Sequence, residues 1–356
     1  MAKEPLFIGM DLGTFKTSVA SSSGKREVLY TAVGRPRDHV ARNLLGRDVV
    51  FGKEIFEHRL ALHVVRPFEK GVLKYLGHDE AGVPEHEVEK HLEAARLLVT
   101  HAVALTEPPS GAPVFGVIGA PSRASTVNKQ YLIEASEGAF DAVVIVSEPF
   151  AVAYGMGCVS DTLVVDIGAG TVDICPMCGV YPAEADQETL SVGGDFIDED
   201  FLERLREAYP EARMSLNMAR EVKEKYAFVH DINEKVVLSL PTTGKLKQFD
   251  VTFLLKDACK KMARPIVTGI QRVVAKYDPE FQHRLLGNIL LCGGGSQLKG
   301  LDLFIEEHLK EYGGAKVTRV ADSVFAGAFG ALKLAMNMRA EHWQEIMDRA
   351  GARAAA

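Results

Sequence analysis

The sequence contains no uninterrupted apolar stretch of about 18 residues, the length at which a membrane-spanning helix is expected. Its first residues, Met1-Ala2-Lys3-Glu4-Pro5, lack the long apolar core of a signal peptide and lead directly into an apolar run. They also leave no room for an amphipathic anchor at the N-terminus. The sequence therefore predicts a cytoplasmic protein with no direct membrane anchor.

Basic residues are not in excess. The 41 Lys and Arg residues are outnumbered by 48 Asp and Glu residues, which gives a net charge of −7. No cluster of Lys and Arg alternates with aromatic residues, so we do not expect the protein to bind nucleic acid. The hydrophobic share of 47% is ordinary for a globular protein, and a length of 356 residues favours about two domains.

Cysteine is scarce, with five residues in the chain. An odd number of cysteines without a secretion signal indicates reduced thiols. Cys175 and Cys178 have the CxxC spacing of a metal or redox site, but no second pair follows to complete four metal ligands. Because the run lies in a predicted hairpin, we expect buried structural thiols in preference to metal or redox use.

Several familiar catalytic patterns are also missing. The Gly-Lys-Ser/Thr sequence of a P-loop is absent, which excludes that class of ATPase. No nucleophile elbow or Ser/His/Asp order appears, and the histidines do not pair at metal-ligand spacing on one helix face.

What the sequence does contain is a repeated strand and turn. Residues 7–14 and 164–171 are each an apolar run that ends in Asp and passes through a glycine-containing turn into a second apolar run. The two aspartates, Asp11 and Asp166, are 155 residues apart. Such a turn presents backbone N–H groups to an anion beside an acidic metal site. One copy alone is typical of an ordinary hairpin, whereas the repetition favours two similar domains that close on one nucleotide phosphate chain.

The apolar spacing along the chain predicts strands that alternate with helices, and hence α/β layers. A helix is expected over 85–105, where apolar residues recur every three to four positions, and a kinked helix is expected around Pro265. The hairpin–strand–helix order occurs in both halves, each interrupted by a polar insertion, at 36–69 and 211–253. Two duplicated lobes facing a cleft are predicted.

The repeated turns give the first set of candidate site residues. Mg²⁺ prefers carboxylates and water, so Asp11 and Asp166 are candidates to hold a magnesium ion, largely through its water shell. The turn amides, together with two threonine hydroxyls, are candidates to bind the phosphates. The residues of these turns are Leu12, Gly13, Thr14, Gly168, Ala169, Gly170 and Thr171.

Glu148 is the candidate catalytic carboxylate, with Asp166. It follows the apolar strand 143–146 and precedes Pro149, which is favoured at the start of a helix. A carboxylate at this point can orient and polarise an attacking water. The alternative is a glutamate stabilised at a helix N-terminus by the helix dipole. Within the pattern of repeated turns, we favour the water-positioning role.

Three further runs are candidates for the nucleoside. A glycine triplet after a strand permits close approach to a base or ribose, although turns use such triplets freely. A Lys-Glu pair in a helical run could bind adenine and ribose, or could be a solvated charge pair. A Gly-Asp pair could contact the ribose or cap a helix. These residues are Gly293, Gly294, Gly295 and Ser296, then Lys223 and Glu224, then Gly194 and Asp195.

Taken together, these runs resemble the superfamily of ATPases that contains actin, heat-shock 70 and the sugar kinases. Asp11-Leu-Gly-Thr14 is similar to its first phosphate motif and Asp166-Ile-Gly-Ala-Gly-Thr171 to its second. Ser147-Glu148-Pro149 opens a run similar to the first connecting motif, Leu291-Cys-Gly-Gly-Gly-Ser296 resembles the adenosine motif, and residues 326–331 resemble the second connecting helix.

The resemblance implies an actin-like fold of duplicated ribonuclease-H-like lobes, with four subdomains around a nucleotide cleft. The expected division places 1–35, 70–150 and 320–345 in subdomain IA and 36–69 in IB. Residues 151–210 and 254–319 form IIA, 211–253 form IIB, and 346–356 are a flexible tail. ATP or ADP and Mg²⁺ are the implied cofactors. The implied roles are water positioning for Glu148, metal and phosphate coordination for Asp166, and nucleoside binding for Lys223 and Glu224.

Within the superfamily the chain is similar to bacterial actins of the magnetosome-associated MamK type, with Asn43-Leu-Leu-Gly-Arg47 and Trp343 among the supporting residues. This implies a polymerising ATPase whose partners are its own copies and magnetosome-associated proteins, with the two insertions as candidate longitudinal contacts. Two positions depart from eukaryotic actins: Ser18 stands where a phosphate-contacting lysine is found, and Ala169 replaces an acidic residue. The alternatives are a chaperone ATPase, a small-molecule kinase and a structural relative that hydrolyses little ATP.

Overall fold

The computed structural model describes residues 3–74, 84–122, 124–230 and 235–354. It divides into two compact units, one formed by Met1–Cys158 with Val324–Ala356 and the other by Val159–Ser323. Helix 148–156 crosses the boundary expected at 150–151 and lies wholly in the first unit. The division into four subdomains stays a prediction.

The first unit begins with a hairpin, as its two short apolar runs predict. Its strands are β1 Leu6–Leu12, β2 Lys16–Ser21, β3 Arg26–Tyr30, β4 Val33–Pro36, β5 Leu62–Val65, β6 Phe68–Glu69, β7 Val72–Leu73, β8 Val114–Ala120 and β9 Ala142–Ser147. Its helices in this part of the chain are α1 His39–Leu45, α2 Glu54–Glu57, α3 Glu85–Leu105, α4 Thr126–Ala135 and α5 Glu148–Met156.

The main sheet of this unit has the order β3-β2-β1-β8-β9. The first three strands are antiparallel, whereas β1, β8 and β9 run parallel. Every residue of β8 is buried, which is typical of a parallel strand covered on both faces. The register places Asp11 beside Gly119 of β8, and Gly119 beside Val146 of β9.

The second unit repeats this arrangement. Its strands are β10 Ser160–Ile167, β11 Val172–Cys178, β12 Glu188–Leu190, β13 Val237–Pro241, β14 Leu246–Asp250, β15 Ile289–Cys292 and β16 Val317–Arg319. Its helices are α6 Gly194–Ala208, α7 Leu216–Tyr226, α8 Thr252–Val274, α9 Pro279–Leu286 and α10 Leu301–His308. The sheet order is β12-β11-β10-β15-β16, with β10–β12 antiparallel and β10, β15 and β16 parallel. The predicted duplication of an α/β lobe is confirmed.

The chain then returns to the first unit as α11 Ala326–Asn337 and α12 Ala340–Ala354. Small residues let α11 pack closely on its neighbours, since a Cβ atom on Gly330 would lie 1.8 Å from the Ala151 oxygen of α5. On α12, Trp343 is 2% exposed and stacks on Phe115, with ring centroids 5.0 Å apart. Where a flexible tail was expected from residue 346, α12 continues to Ala354, and residues 355–356 lie outside the described chain.

Local contacts and backbone conformation set two of the element boundaries. Strand β14 ends at Asp250, because the Asp250 carboxylate accepts from the backbone N–H and hydroxyl of Thr252, where α8 begins. Helix α10 begins at Leu301, because Gly300 before it has a left-handed φ of 76°. Cys178 is exposed although a buried thiol was expected there, whereas Cys175 is buried. Of the helices in the described residues, none has the length and apolarity to cross a membrane.

Candidate functional site

The first turn follows β1 and is held by threonine hydroxyls. The Thr31 hydroxyl donates to the Gly13 carbonyl over 2.8 Å, and the Thr14 hydroxyl accepts from the Gly71 backbone N–H over 2.8 Å. A Cβ atom on Gly13 would lie 2.6 Å from the Lys16 carbonyl, so the turn closes only around glycine. Because the Leu12 side chain is buried, that residue offers a ligand only its backbone.

Asp11 lies at the end of β1, and burial raises the pKa of its carboxyl to about 6. Its Oδ2 atom is 2.8 Å from the point that a Cβ atom on Gly327 of α11 would occupy. A carboxylate whose charge is costly to bury is one that a nearby cation stabilises. Asp11 is therefore suited to hold Mg²⁺, which prefers hard oxygen ligands, whether it contacts the ion directly or through water.

Glu148 is the first residue of α5, immediately after β9. Its side chain is half-buried, and its Oε1 atom is shielded from solvent. Its Cγ atom is 2.9 Å from the point that a Cβ atom on Gly119 would occupy. Since Asp11 pairs with Gly119 across the sheet, the structure brings Asp11 and Glu148 to the same residue of β8.

In the second unit, Asp166 lies near the end of β10 and the turn 168–171 follows. The Gly168 N–H donates to the Thr171 carbonyl over 2.9 Å, and the Thr171 hydroxyl donates to Asp173 over 3.4 Å. A Cβ atom on Gly168 would meet only the Thr171 carbonyl, at 3.3 Å. This turn is thus a second short loop of backbone groups next to a carboxylate, equivalent in topology to the first.

The pair Gly194 and Asp195 lies against this second turn. The Gly194 N–H donates to the Gly168 carbonyl over 3.0 Å, and the Asp195 N–H donates to the Ala169 carbonyl over 2.8 Å. Gly193 is the residue that caps α6, so Gly194 and Asp195 are the first residues of the helix, and the alternative of a cap at this pair is wrong. These bonds join the start of α6 to the second turn.

Lys223 and Glu224 separate onto different surfaces of α7. The Lys223 ammonium donates to the Gly194 carbonyl and to the Asp198 carboxylate, each over 2.8 Å. Lys223 is thus part of a buried network, and the alternative of a solvated charge pair is wrong for it. Glu224 is exposed. The network places Lys223 next to the second turn through Gly194.

The glycine triplet serves two purposes. A Cβ atom on Gly293 would lie 2.3 Å from Asp166 Oδ1, and one on Gly295 would lie 2.2 Å from Ile167 Cγ2. These two glycines therefore allow β10 to approach closely. A Cβ atom on Gly294 would meet nothing within 4 Å, so Gly294 is the member of the triplet that faces open space. Ser296 is buried, and its hydroxyl donates to the Gly293 carbonyl over 2.7 Å.

Sequence reasoning missed Asp198, Arg220, Gly119 and Gly327. Asp198 is fully buried and lies 3.2 Å from the Arg220 guanidinium, which also contacts Asp195 at 3.0 Å. Arg220 and Lys223 are three residues apart and hence on one face of α7, a spacing that could have indicated a shared acidic partner. No local pattern distinguishes the two glycines from others, because their neighbours are distant in sequence.

Comparison with known proteins agrees with this geometry. Residues 6–342 match the MreB/Mbl protein family. The chain is 38% identical to the actin-like protein MamK of Paramagnetospirillum magneticum over 350 residues, which is 98% of each chain. Its structure resembles a MamK double helical filament, with a TM-score of 0.88 at 38% identity, over 94% of this chain and 100% of the other.

A second solved structure, a non-polymerising MamK mutant bound to AMPPNP, matches with a TM-score of 0.72 at 39% identity. That match covers 94% of this chain and 100% of the mutant. The matches in sequence extend over nearly the whole chain, and the two matches in fold each cover 94% of it. The chain belongs to the MreB/Mbl family of actin-like proteins.

Proposed function

We propose that this protein is an ATPase that polymerises into filaments in the cytoplasm and whose filaments turn over through ATP hydrolysis. The observation that carries the proposal is the repeated strand, carboxylate and backbone turn, which occurs once in each unit at equivalent positions of the two sheets. The likeness to a MamK filament and to a MamK mutant bound to the ATP analogue AMPPNP supports it.

In this proposal the turn amides of 12–14 and 169–171 donate to phosphate oxygens, while the Gly168 N–H holds the second turn closed by donating to the Thr171 carbonyl. The first residues of α6 together with Lys223, Glu224 and residues 293–296 hold the nucleoside. Bound Mg²⁺ would neutralise phosphate charge, and Asp11 and Asp166 are the carboxylates that would hold it. Lys223 acts mainly by holding the Gly194 backbone at the start of α6 in place, because its ammonium group already binds the Gly194 carbonyl and the Asp198 carboxylate.

Glu148 is the residue proposed to act on the attacking water. Its position at the N-terminus of α5 stabilises the ionised carboxylate, because the helix dipole is positive there. In that form an Oε atom accepts a hydrogen bond from the water and directs the water oxygen towards phosphorus, as is general for water-positioning carboxylates.

The test compares filament sedimentation and phosphate release in the parent, in Glu148→Gln and in Glu137→Gln. Glu137 is an exposed residue of the same unit and is the matched control. We expect filaments from all three with ATP and Mg²⁺, and phosphate release reduced on the order of 100-fold or more in Glu148→Gln alone. Absence of filaments in the parent, or its transfer of phosphate to a sugar, would contradict the proposal.

The two polar insertions are proposed as the longitudinal contacts of the filament. Both expose large apolar side chains: Leu60 in the first is 90% exposed and Phe253 at the end of the second is 72% exposed. Association would remove this surface from water, which is favourable in proportion to the apolar area buried.

The proposed cargo is the magnetosome, by likeness to the MamK proteins, with magnetosome-associated proteins as adaptor partners. The test is imaging of a tagged copy in cells with and without magnetosome membranes. Filaments that lie along the organelles, and that fail to align them in the Glu148→Gln variant, are expected. Filaments with no spatial relation to the organelles would contradict this cargo while leaving the ATPase proposal intact.

A further inference from the structure

Two glycines of the first unit each lie against one of its candidate carboxylates. Gly119 is buried in the middle of the parallel part of the sheet, and a Cβ atom added to it would lie 2.9 Å from Glu148 Cγ. The next nearest atoms, Glu148 Cα and the Met10 carbonyl, are 3.7 Å away, which is ordinary contact. The glutamate side chain thus occupies the space that any larger residue at 119 would fill.

Gly327 has the same relation to Asp11. A Cβ atom at this position of α11 would lie 2.8 Å from Asp11 Oδ2, 3.2 Å from its Cγ and 3.3 Å from its Cβ. Most of the aspartate side chain therefore lies against this one residue of the helix. An added methyl group would press on the carboxylate along much of its length.

Backbone conformation does not explain either glycine. Gly119 lies within a regular strand and Gly327 within a regular helix, and neither has a positive φ. Both positions could take an L-residue without strain in the backbone. What glycine provides at these positions is space for a carboxylate.

This inference rests on the proposed function. We propose that Gly119 and Gly327 are positioning residues for ATP hydrolysis: Gly119 sets the position of the Glu148 carboxylate, and Gly327 sets that of Asp11. A methyl group at 119 must displace Glu148 Cγ, and the carboxylate one bond further along moves with it. A displacement of about 1 Å at a reacting group costs on the order of 100-fold in rate.

The first test is Gly119→Ala, with Gly116→Ala as its control. Gly116 lies on the same strand, and a Cβ atom there would meet the Phe140 ring at 2.4 Å, so this control disturbs packing without touching Glu148. We expect Gly119→Ala to slow phosphate release about 10- to 100-fold per folded molecule, with nucleotide affinity by calorimetry unchanged. Gly116→Ala is expected to lower the unfolding midpoint and leave that rate unchanged.

A double-mutant cycle separates this contact from general destabilisation. Glu148→Ala removes the Cγ atom, so the drop in unfolding midpoint caused by Gly119→Ala should disappear in the Glu148→Ala background. An equal drop in both backgrounds, or an unchanged hydrolysis rate in Gly119→Ala when Glu148→Gln abolishes hydrolysis, would overturn the inference about Gly119. If Glu148→Gln itself retained normal hydrolysis, the proposed function of Glu148 would fail instead.

For Gly327→Ala the readout is thermal stabilisation by ADP as a function of Mg²⁺ concentration. We expect the Mg²⁺ concentration for half-maximal stabilisation to rise at least about tenfold, because the displaced Asp11 carboxylate would hold the ion less well. In the Asp11→Asn background the same substitution should cause no further rise. Equal rises in both backgrounds, or no rise in either, would overturn the inference about Gly327.

Discussion

The ammonium group of Lys223 donates to the buried carboxylate of Asp198 over 2.8 Å, and this contact joins α7 to α6. Arg220, one turn earlier on α7, lies 3.2 Å from the same carboxylate. Asp198 is fully buried and Arg220 nearly so. Helix α7, which carries the candidate nucleoside-binding residues, is therefore held in place by a charge network in the interior of the second unit.

This network predicts a large loss of stability in Asp198→Ala. The substitution leaves Lys223 and Arg220 partly buried without their shared carboxylate, so we expect unfolding to become easier by about 3–5 kcal/mol. The control is Glu211→Ala, which breaks an exposed pair with Lys247 at 3.6 Å and should cost less than about 1 kcal/mol. Chemical denaturation measures both. Equal losses in the two variants would refute the role of the buried network.

The same residue predicts a dependence on pH. Burial raises the pKa of Asp198 to about 6 from 3.8, against the opposing charges of Lys223 and Arg220. The folded state then holds the proton more tightly than the unfolded state, so this stabilisation is full below about pH 4 and is lost as the pH rises through 6. The stability of the parent minus that of Asp198→Asn should fall between pH 4 and 7. A difference that rises or stays flat would contradict the prediction.

Trp343 predicts that α12 is an integral part of the first unit. The side chain is buried, stacks on Phe115 and donates from Nε1 to the Ala335 carbonyl over 3.3 Å. Trp343→Ala should cost about 3–5 kcal/mol of unfolding free energy, as is usual when a buried aromatic is truncated. His342→Ala, at the exposed neighbouring position, should cost less than about 0.5 kcal/mol. Similar unfolding midpoints for the two variants would show that α12 packs loosely.

The two cysteines of the CxxC run should react with thiol reagents at very different rates. Cys175 is buried, its Sγ donates to Gln187 Oε1 over 3.2 Å, and burial raises the pKa of its thiol, whereas Cys178 is exposed. We expect Cys178→Ser to remove the fastest phase of labelling of the folded protein. Cys175→Ser should leave that phase unchanged, and Cys175 should react only on unfolding. A fast phase that persists in Cys178→Ser would contradict this assignment.

The exposed apolar residues of the insertions give a prediction about assembly. Leu60→Ser and Phe253→Ser should raise the critical concentration for filament formation by several-fold, because each removes apolar surface proposed to be buried on association. Leu303→Ser, at a position 55% exposed on α10 and outside both insertions, is the control and should leave the critical concentration unchanged. Sedimentation over a range of protein concentrations distinguishes these outcomes.

Periodic elements could be predicted from the sequence because their signals are local. Helix α3 begins and ends where its apolar spacing predicted, at Glu85 and Leu105, and Leu98 and Val99 are fully buried on its inner face. The repeated hairpins were likewise visible as apolar runs on either side of a glycine turn. Both kinds of element are specified by residues within a few positions of one another.

The buried charge network could not be predicted in this way. Asp198 lies in an acidic run of α6 that reads as solvated surface, and its partners are 22 and 25 residues away on α7. The beginning of α10 depended on the left-handed φ of Gly300, which the apolar spacing does not encode. For Gly119 and Gly327, the reason for glycine is a side chain from another element, so only the folded structure reveals it.

The matching strand orders of the two sheets make Asp11 and Asp166 counterparts. The glycine that lies against each aspartate differs in backbone conformation. Gly327 is an ordinary helical residue, whereas Gly293 has a φ of 75° and would carry a Cβ atom 2.3 Å from Asp166 Oδ1. Alanine at position 327 would therefore displace the Asp11 side chain without straining the backbone. Alanine at position 293 would both clash with Asp166 and strain the backbone. Substitution of Gly327 can therefore shift the Asp11 carboxylate by small steps, whereas position 293, next to Asp166, should tolerate only glycine.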